Sequence, residues 1–402
     1  MSGFVHDPLQ IINLIADNVR DRYRDETAVL KEIVQNADDA EADRADFIVV
    51  CDGIPTARNR LLQGPALVAV NNGRFRRRDA RGIRQFGLSV KSADHGAIGK
   101  FGLGQKAVFY LCEAFLYCAE GVLETEDPKF PYRGVINPWS EVATHQSLFP
   151  DWDGFDDDDL ALVRRALMPL GEFSRRFILW LPLRSELQLT HGNGRIDPIV
   201  SHYPNPKDLV DRLCSSTVLA ECLPMLAHLE VINVHHVEPA TGWRTLATCA
   251  LPKNVDRLRR GDSTEEQGVE LSGRVAIDRN VARTALDFVG YQKIQMTDTL
   301  RLIKNNEAWP AMHLRDEDGL KAIHPKEKAS PQGAVMLYRQ ASKPEGSTLN
   351  LDWAVFLPVG ERQREQFQLS AADGGRRPPP AAFSSSCMAI FFWMLAVSRS
   401  RR

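Results

Sequence analysis

The sequence predicts an α+β protein built in two successive regions, and three observations carry that prediction. Leu30, Ile33, Val34 and Ala37 recur at i, i+3, i+4 and i+7, the spacing of a helix with one apolar face. Two short β-rich runs, Phe47–Cys51 and Ala66–Val70, follow between Asp, Gly and Pro residues, as buried strands do. Beyond a stretch rich in Gly, Asn and Pro from Gly192 to Pro206, helical and strand patterns alternate again as far as Pro358.

The first element is an amphipathic helix from Pro8 to Val19, with Leu9, Ile12 and Ala16 on one face and Ile11 and Ile15 beside them. It is expected to pack against the helix of residues 30–40, for which Thr27 is the expected N-cap. That second helix carries a polar stripe, Glu32, Gln35, Asn36 and Asp39, which reads either as a solvated face or as a site. Glu32 and Asn36 lie one turn apart, so a carboxylate able to polarise a water stands beside an amide oxygen able to hold a hard cation such as Mg²⁺.

After the two strands comes a basic segment with Arg74, Arg76, Arg77, Arg78, Arg81, Arg84 and Lys91. It is open to two readings, a solvated run or a mobile lid that draws in a polyphosphate. The glycine-rich turn Gly99–Gly104 then runs into the apolar segment Gln105–Leu111, and such a turn lets backbone N–H groups approach a phosphate. Its spacing matches neither the dinucleotide fingerprint nor the P-loop. The acidic run Asp151–Asp159 lacks the alternating ligands and late glutamate of an EF-hand and is expected to be a surface loop. Phe177–Arg184 reads as a buried strand, Leu209–Leu226 as helical and Leu229–Val234 as a strand. The following pair, His235 and His236, is expected to be structural, with no ligand spacing to suggest a metal.

At 402 residues the chain can bury a sizeable core in two or three domains, and a formal net charge of −2 points to neither nucleic acid nor an anionic membrane as partner. Seven cysteines, at 51, 112, 118, 214, 222, 249 and 387, are never spaced as CxxC. The expectation is a reducing cytoplasm, with neither a disulfide framework nor a zinc site. No secretory leader is visible at the N-terminus.

Three segments together, LKEIVQNADDA, GPALVAVNNGRF and IGKFGLGQKAVFYL, resemble the sacsin-type branch of the ATPase superfamily that includes gyrase B, the ninety-kilodalton heat-shock chaperones, histidine kinases and MutL. The resemblance covers roughly residues 8–185. It implies a two-layer sandwich of a mixed β-sheet with helices on one face, the Bergerat-type ATP-binding fold, over residues 1–190, with a lid at about 74–104. A second α+β region, 200–375, would couple nucleotide state to a partner. By the same resemblance Glu32 matches the water-activating glutamate, Asn36 the Mg²⁺ holder, and Asp39 and Ala40 the pocket lining. Gly99, Gly102 and Gly104 match the phosphate-side glycines, with Gln105 and Lys106 after them and Lys91 in the lid.

Two departures stand out. Asn72 occupies the place of the aspartate that accepts the adenine amino hydrogen, and a neutral acceptor is weaker than a charged one. Phe177 stands where relatives often have a threonine near the phosphates. The implied function is an ATP-binding, Mg²⁺-dependent, slowly hydrolysing, chaperone-like module acting on a protein client, with room for a nucleotide-dependent dimer. The alternative is an ATP-gated interaction or defence module without useful turnover.

In the tail, the apolar run Cys387–Val397 lies between arginine pairs and is shorter than the ~20 residues of a membrane span. Read one base earlier, its codons admit sacsin-like sequence. The tail, 376–402, is therefore expected to be a frameshift product, and the chain the front part of a longer protein.

Overall fold

The structure is a computed structural model and describes residues 8–22, 26–84, 104–141, 146–191, 194–215, 218–223, 226, 228–239, 241–251, 272–279, 282–295, 332–340, 349–356 and 362–367. The tail, the glycine turn before Gly104, and Lys91, Gly99 and Gly102 lie outside the described residues. The described residues fall into two compact units: one holds those up to Ala250 together with Ile277–Arg283, and the other holds Leu251, 272–276 and those from Thr284 onward.

The first unit opens with α1 (Pro8–Arg22) and α2 (Glu26–Asp39). Ile12, Ile15, Ala16 and Val19 of α1 are buried, as are Leu30, Ile33, Val34 and Ala37 of α2. Both helices pack on the 3-10 segment Gly104–Tyr110. Thr27 is not the cap: α2 already starts at Glu26, one residue earlier. Glu26 is buried and tied to His202 Nε2 at 2.9 Å and to Arg212, so tertiary ion pairing, not a local hydroxyl, holds the helix start.

The strands are β1 (Arg44–Val50), β2 (Ala66–Asn71), β3 (Phe115–Glu120), β4 (Arg133–Ile136), β7 (Arg176–Pro182), β10 (Val231–Glu238) and β11 (Gly242–Ala250). Two small ribbons intervene, β5 (Ser140–Glu141) with β6 (Gln146–Ser147) and β8 (Thr190–His191) with β9 (Gly194–Arg195). The strand order is β11-β10-β1-β2-β7-β3-β4, with β1 and β10 parallel and the other pairs antiparallel. Helices α3 (Arg77–Arg84), α4 (Asp157–Ala166), α5 (Pro206–Ser215) and α6 (Val218–Cys222) complete the unit, with α5 against β1 and β10 and α6 against β11. This is the α+β class expected, a mixed sheet layered with helices. β1 and β2 are buried at nearly every position, which requires cover on both faces there.

The expected division at 190–200 falls inside this unit. Val231–Val237 pairs residue for residue with Arg44–Val50, and a parallel partner can return only after a long crossover. The stretch from Gly192 to Pro206 is a connection within the unit and not its end. Past it, β12 (Ser272–Arg279) is followed by β13 (Ala282–Gln295), β14 (Gln332–Gln340), β15 (Leu349–Phe356) and β16 (Arg362–Phe367). From β13 to β16 they pair in chain order as an antiparallel meander. Among the described residues no helix is long and apolar enough to cross a membrane.

The acidic run is more than a surface loop. Asp156 caps α4 by accepting from Asp159 N, and the buried Asp159 accepts from the backbone N–H of Arg58 at 2.7 Å and of Asn59 at 3.1 Å. Arg58 also pairs with Asp156 and Asp158. The carboxylates therefore fasten the β1–β2 connection to the start of a helix, where negative charge is also favoured by the helix dipole.

Asp46, fully buried on β1, accepts from His235 Nε2 and Asn233 Nδ2, each at 2.9 Å, and is gripped by Arg44. Burial alone would push its carboxyl up. The hydrogen bonds from His235, Arg44 and Asn233 outweigh that and hold it below the usual carboxylate range. A depressed folded pKa contributes stability above the unfolded pKa and loses it as pH falls through the folded one. Asp46→Asn is expected to cost about 1–3 kcal/mol at pH 7 and to flatten the loss of stability below about pH 4. Urea unfolding of both proteins from pH 7 to pH 3 checks this, and parallel curves would refute it.

Candidate functional site

The site is built where α2 ends beside the end of β2. Glu41, at φ 60, stops the helix in the left-handed region, with Ala42 N donating to Ala37 O and Glu41 N to Asp38 O, the paired bonds of a Schellman cap. One residue earlier, Ala40 O accepts from Arg74 N at 2.6 Å, which staples the helix to the chain leaving β2. Gly73 fits because it has no side chain: a Cβ there would lie 2.8 Å from Ala40 Cβ and 2.9 Å from Ala40 O.

Gly73→Ala is accordingly expected to force α2 and β2 apart at a cost of about 1–3 kcal/mol. Gly82→Ala in α3, where a Cβ meets nothing within 4 Å, is expected to be neutral or stabilising. Thermal unfolding of the two variants gives the comparison, and equal effects would contradict the close approach.

The polar stripe Glu32, Gln35, Asn36 and Asp39 is half-exposed along α2 while the opposite stripe is buried. Gly104, Gln105 and Lys106 begin the 3-10 segment that packs on α2. Glu32, Asn36 and Asp39 thus share one helix that the Gly104–Tyr110 segment packs on, with Ala40 just past its end and Asn71–Gly73 next to that end. Glu32 and Asn36 offer a carboxylate and an amide oxygen one turn apart, a hard-oxygen pair that fits Mg²⁺.

Asn72 does not fit the adenine contact as simply. Its Oδ1 accepts from Asp43 N at 3.1 Å and Arg44 N at 3.2 Å, and its Nδ2 donates to Asp43 Oδ1 at 2.6 Å. Those donors fix the orientation of the amide and use both lone pairs of its oxygen. Asn71 is buried and bonds Gly73 N through its own side chain. Across the β2–β7 register Asn71 faces Phe177, which stacks on Phe75 with centroids 5.2 Å apart, and Tyr132 meets Phe75 edge-on. Aromatic packing thus occupies the position where a threonine was expected.

The arginines from 74 to 84 are engaged and not a bare positive field. Arg74 and Arg76 both reach Glu41 at 3.0 Å, Arg77 reaches Asp127 at 2.8 Å, Arg81 lies over Phe130, and Arg84 donates to Tyr117 OH at 3.0 Å. Of this stretch, Arg77–Arg84 forms the helix α3, which these contacts hold.

Sequence reasoning missed two groups that hold the site's framework. Asp38, fully buried, accepts from His228 N at 2.7 Å and Leu229 N at 3.0 Å. Its signal was present: it shares the apolar stripe with Val34, four residues before it. Arg184 pairs with Glu113, and both side chains are sealed from solvent. Its guanidinium also donates to the carbonyls of Phe109, Tyr110, Cys112 and His202. This cluster anchors the C-terminal end of the 3-10 segment that lies on α2.

These features define an α+β module whose second helix bears a half-exposed polar stripe, is packed against a glycine-led segment and ends beside a central strand. The chain belongs to the Sacsin domain family, which matches residues 10–239, more than half of its length. It is similar to human sacsin, at 28% identity over 259 residues that make up 60% of this chain and 5% of that protein. The chain therefore spans a small fraction of the length of this relative. A solved crystal structure, the N-terminal domain of a DNA repair protein, aligns over 71% of each chain at 13% identity with a TM-score of 0.33, too low to say anything of function.

Proposed function

We propose that the chain is an ATP-binding, slowly hydrolysing module of chaperone-like type. The observation that carries this reading is the half-exposed Glu32 and Asn36 pair on a helix buried along its other face, with the Gly104-led segment beside it. Asn36 would hold Mg²⁺ through its amide oxygen, and the ion would neutralise phosphate charge. Glu32 would take the proton from an attacking water. Asp39, Ala40 and the backbone of Gly104–Lys106 would line the bound nucleotide, joined by Lys91, Gly99 and Gly102 on the lid side. A protein client and a nucleotide-dependent dimer are the partners in this reading.

A second reading is an interaction module gated by ATP without turnover. The spent acceptor of Asn72 and the Phe75–Phe177 stack favour it, because they weaken the base contact and crowd the position of the expected threonine. Equilibrium binding of ATP and ADP with and without Mg²⁺, followed by phosphate release on the same sample, separates the two. Binding with turnover supports the first reading, binding without turnover the second, and no binding of either nucleotide refutes both.

A further inference from the structure

The two adjacent histidines of β10 face opposite sides of the sheet. His235 enters the Asp46 network and donates or accepts at Thr245 Oγ1, 3.0 Å away. His236 points the other way, toward the residue that follows β1: its Nε2 lies 3.1 Å from Cys51 Sγ and 3.5 Å from Glu238 Oε1. Two residues apart on one strand, His236 and Glu238 share a face. Cys51 is brought to the same place by the parallel β1–β10 register, and its N–H donates to Val237 O at 3.1 Å.

We propose that Cys51, His236 and Glu238 form a site for a zinc-type divalent cation at the C-terminal end of the β1–β10 pair. The ligand atoms all lie within 4.8 Å of one another. Usual zinc bond lengths to sulfur, nitrogen and oxygen place tetrahedral ligands ~3.4–3.6 Å apart, so small side-chain adjustments close the observed triangle. A thiolate, an imidazole and a carboxylate form a mixed donor set suited to Zn²⁺ or Co²⁺ and poorly suited to Mg²⁺, which takes oxygen ligands. Support for the carboxylate is already built: Thr241 Oγ1 donates to Glu238 Oε2 at 3.2 Å, the outer contact that orients a ligand. His236 is buried while Cys51 and Glu238 are half-exposed, which gives the ion an entry path and leaves a fourth position for water. A nucleophilic role for Cys51 is disfavoured, because burial and then the charges of Glu238 and Asp52 push its thiol up despite Lys207. On binding, the thiol proton leaves to solvent and the sulfur binds as thiolate.

The test uses the full chain, reduced and stripped with chelator, titrated with Co²⁺ and then Zn²⁺. One equivalent of Co²⁺ is expected to give a thiolate-to-cobalt charge-transfer band in the near ultraviolet, bleached by Zn²⁺, and Zn²⁺ is expected to raise Tm. Cys51→Ser should abolish the band, while Cys214→Ser should leave it. Thr241→Val, which spares all three ligands, should weaken binding about 10-fold. If His236→Ala fails to fold, Glu238→Gln serves in its place, with a loss of at least about 10-fold expected. Absence of the band in the wild-type chain, or its persistence in Cys51→Ser, overturns the site.

Discussion

Replacing Arg184 with Met is expected to cost the first unit about 3–5 kcal/mol, the cost of leaving one member of a buried ion pair alone. Burial pushes the Glu113 carboxyl up, and Arg184, with hydrogen bonds from Ile199 N and Trp139 Nε1, holds it back. Without the guanidinium, Glu113 loses its charge partner, and the carbonyls of Phe109, Tyr110, Cys112 and His202 lose a donor. Set against a typical total of about 5–15 kcal/mol, the loss is a large part of the stability. The double variant Arg184→Met with Glu113→Leu should recover the electrostatic share but not the carbonyl share, and it leaves the N–H groups of Ile199 and Trp139 without their carboxylate acceptor. Thermal and urea unfolding of the wild type and both variants measure this. A single-variant loss below about 1 kcal/mol would show that the pair is not the anchor that its burial implies.

Glu32→Ala is expected to leave ATP affinity nearly unchanged and to lower turnover about 10²–10⁴-fold, since a general base acts on the transition state and little on the ground state. Asn36→Ala provides the contrast, because losing the oxygen that orients the cation weakens the bound state and should reduce the Mg²⁺ dependence of affinity. The two residues lie on one half-exposed stripe of α2, so neither change empties the core. Single-turnover phosphate release beside equilibrium binding separates the effects. Turnover in Glu32→Ala equal to wild type would remove Glu32 from the chemistry. A wild-type chain that binds ATP without turnover would instead favour the gated interaction module.

The sequence by itself determined the local elements. The 3.6-residue spacing of Leu30, Ile33, Val34 and Ala37 and the β-branched runs around Ile48 and Val68 declare a helix and two buried strands, because periodicity and burial act within a few residues of chain. The same segments also announced the family and the helix that bears Glu32 and Asn36. Only the tertiary structure decided what those elements meet. The parallel return of Val231–Val237 onto Arg44–Val50 carries the first unit past the glycine-rich stretch where composition suggested an end.

That one pairing also determines the fate of the histidine pair. On a strand, neighbouring side chains point to opposite faces, and the parallel partner β1 carries Asp46 on one face and leads to Cys51 on the other. His235 therefore enters a buried network, and His236 joins a cysteine 185 residues away in the chain. No ligand spacing in the sequence reveals such a cluster, because the chain separation of its members is set by the crossover and not by local geometry. The basic run and the acidic run likewise read locally as solvated charge. Their partners, Glu41, Asp127 and the backbone of Arg58 and Asn59, come from other segments and become neighbours only when the sheet and its connections are assembled.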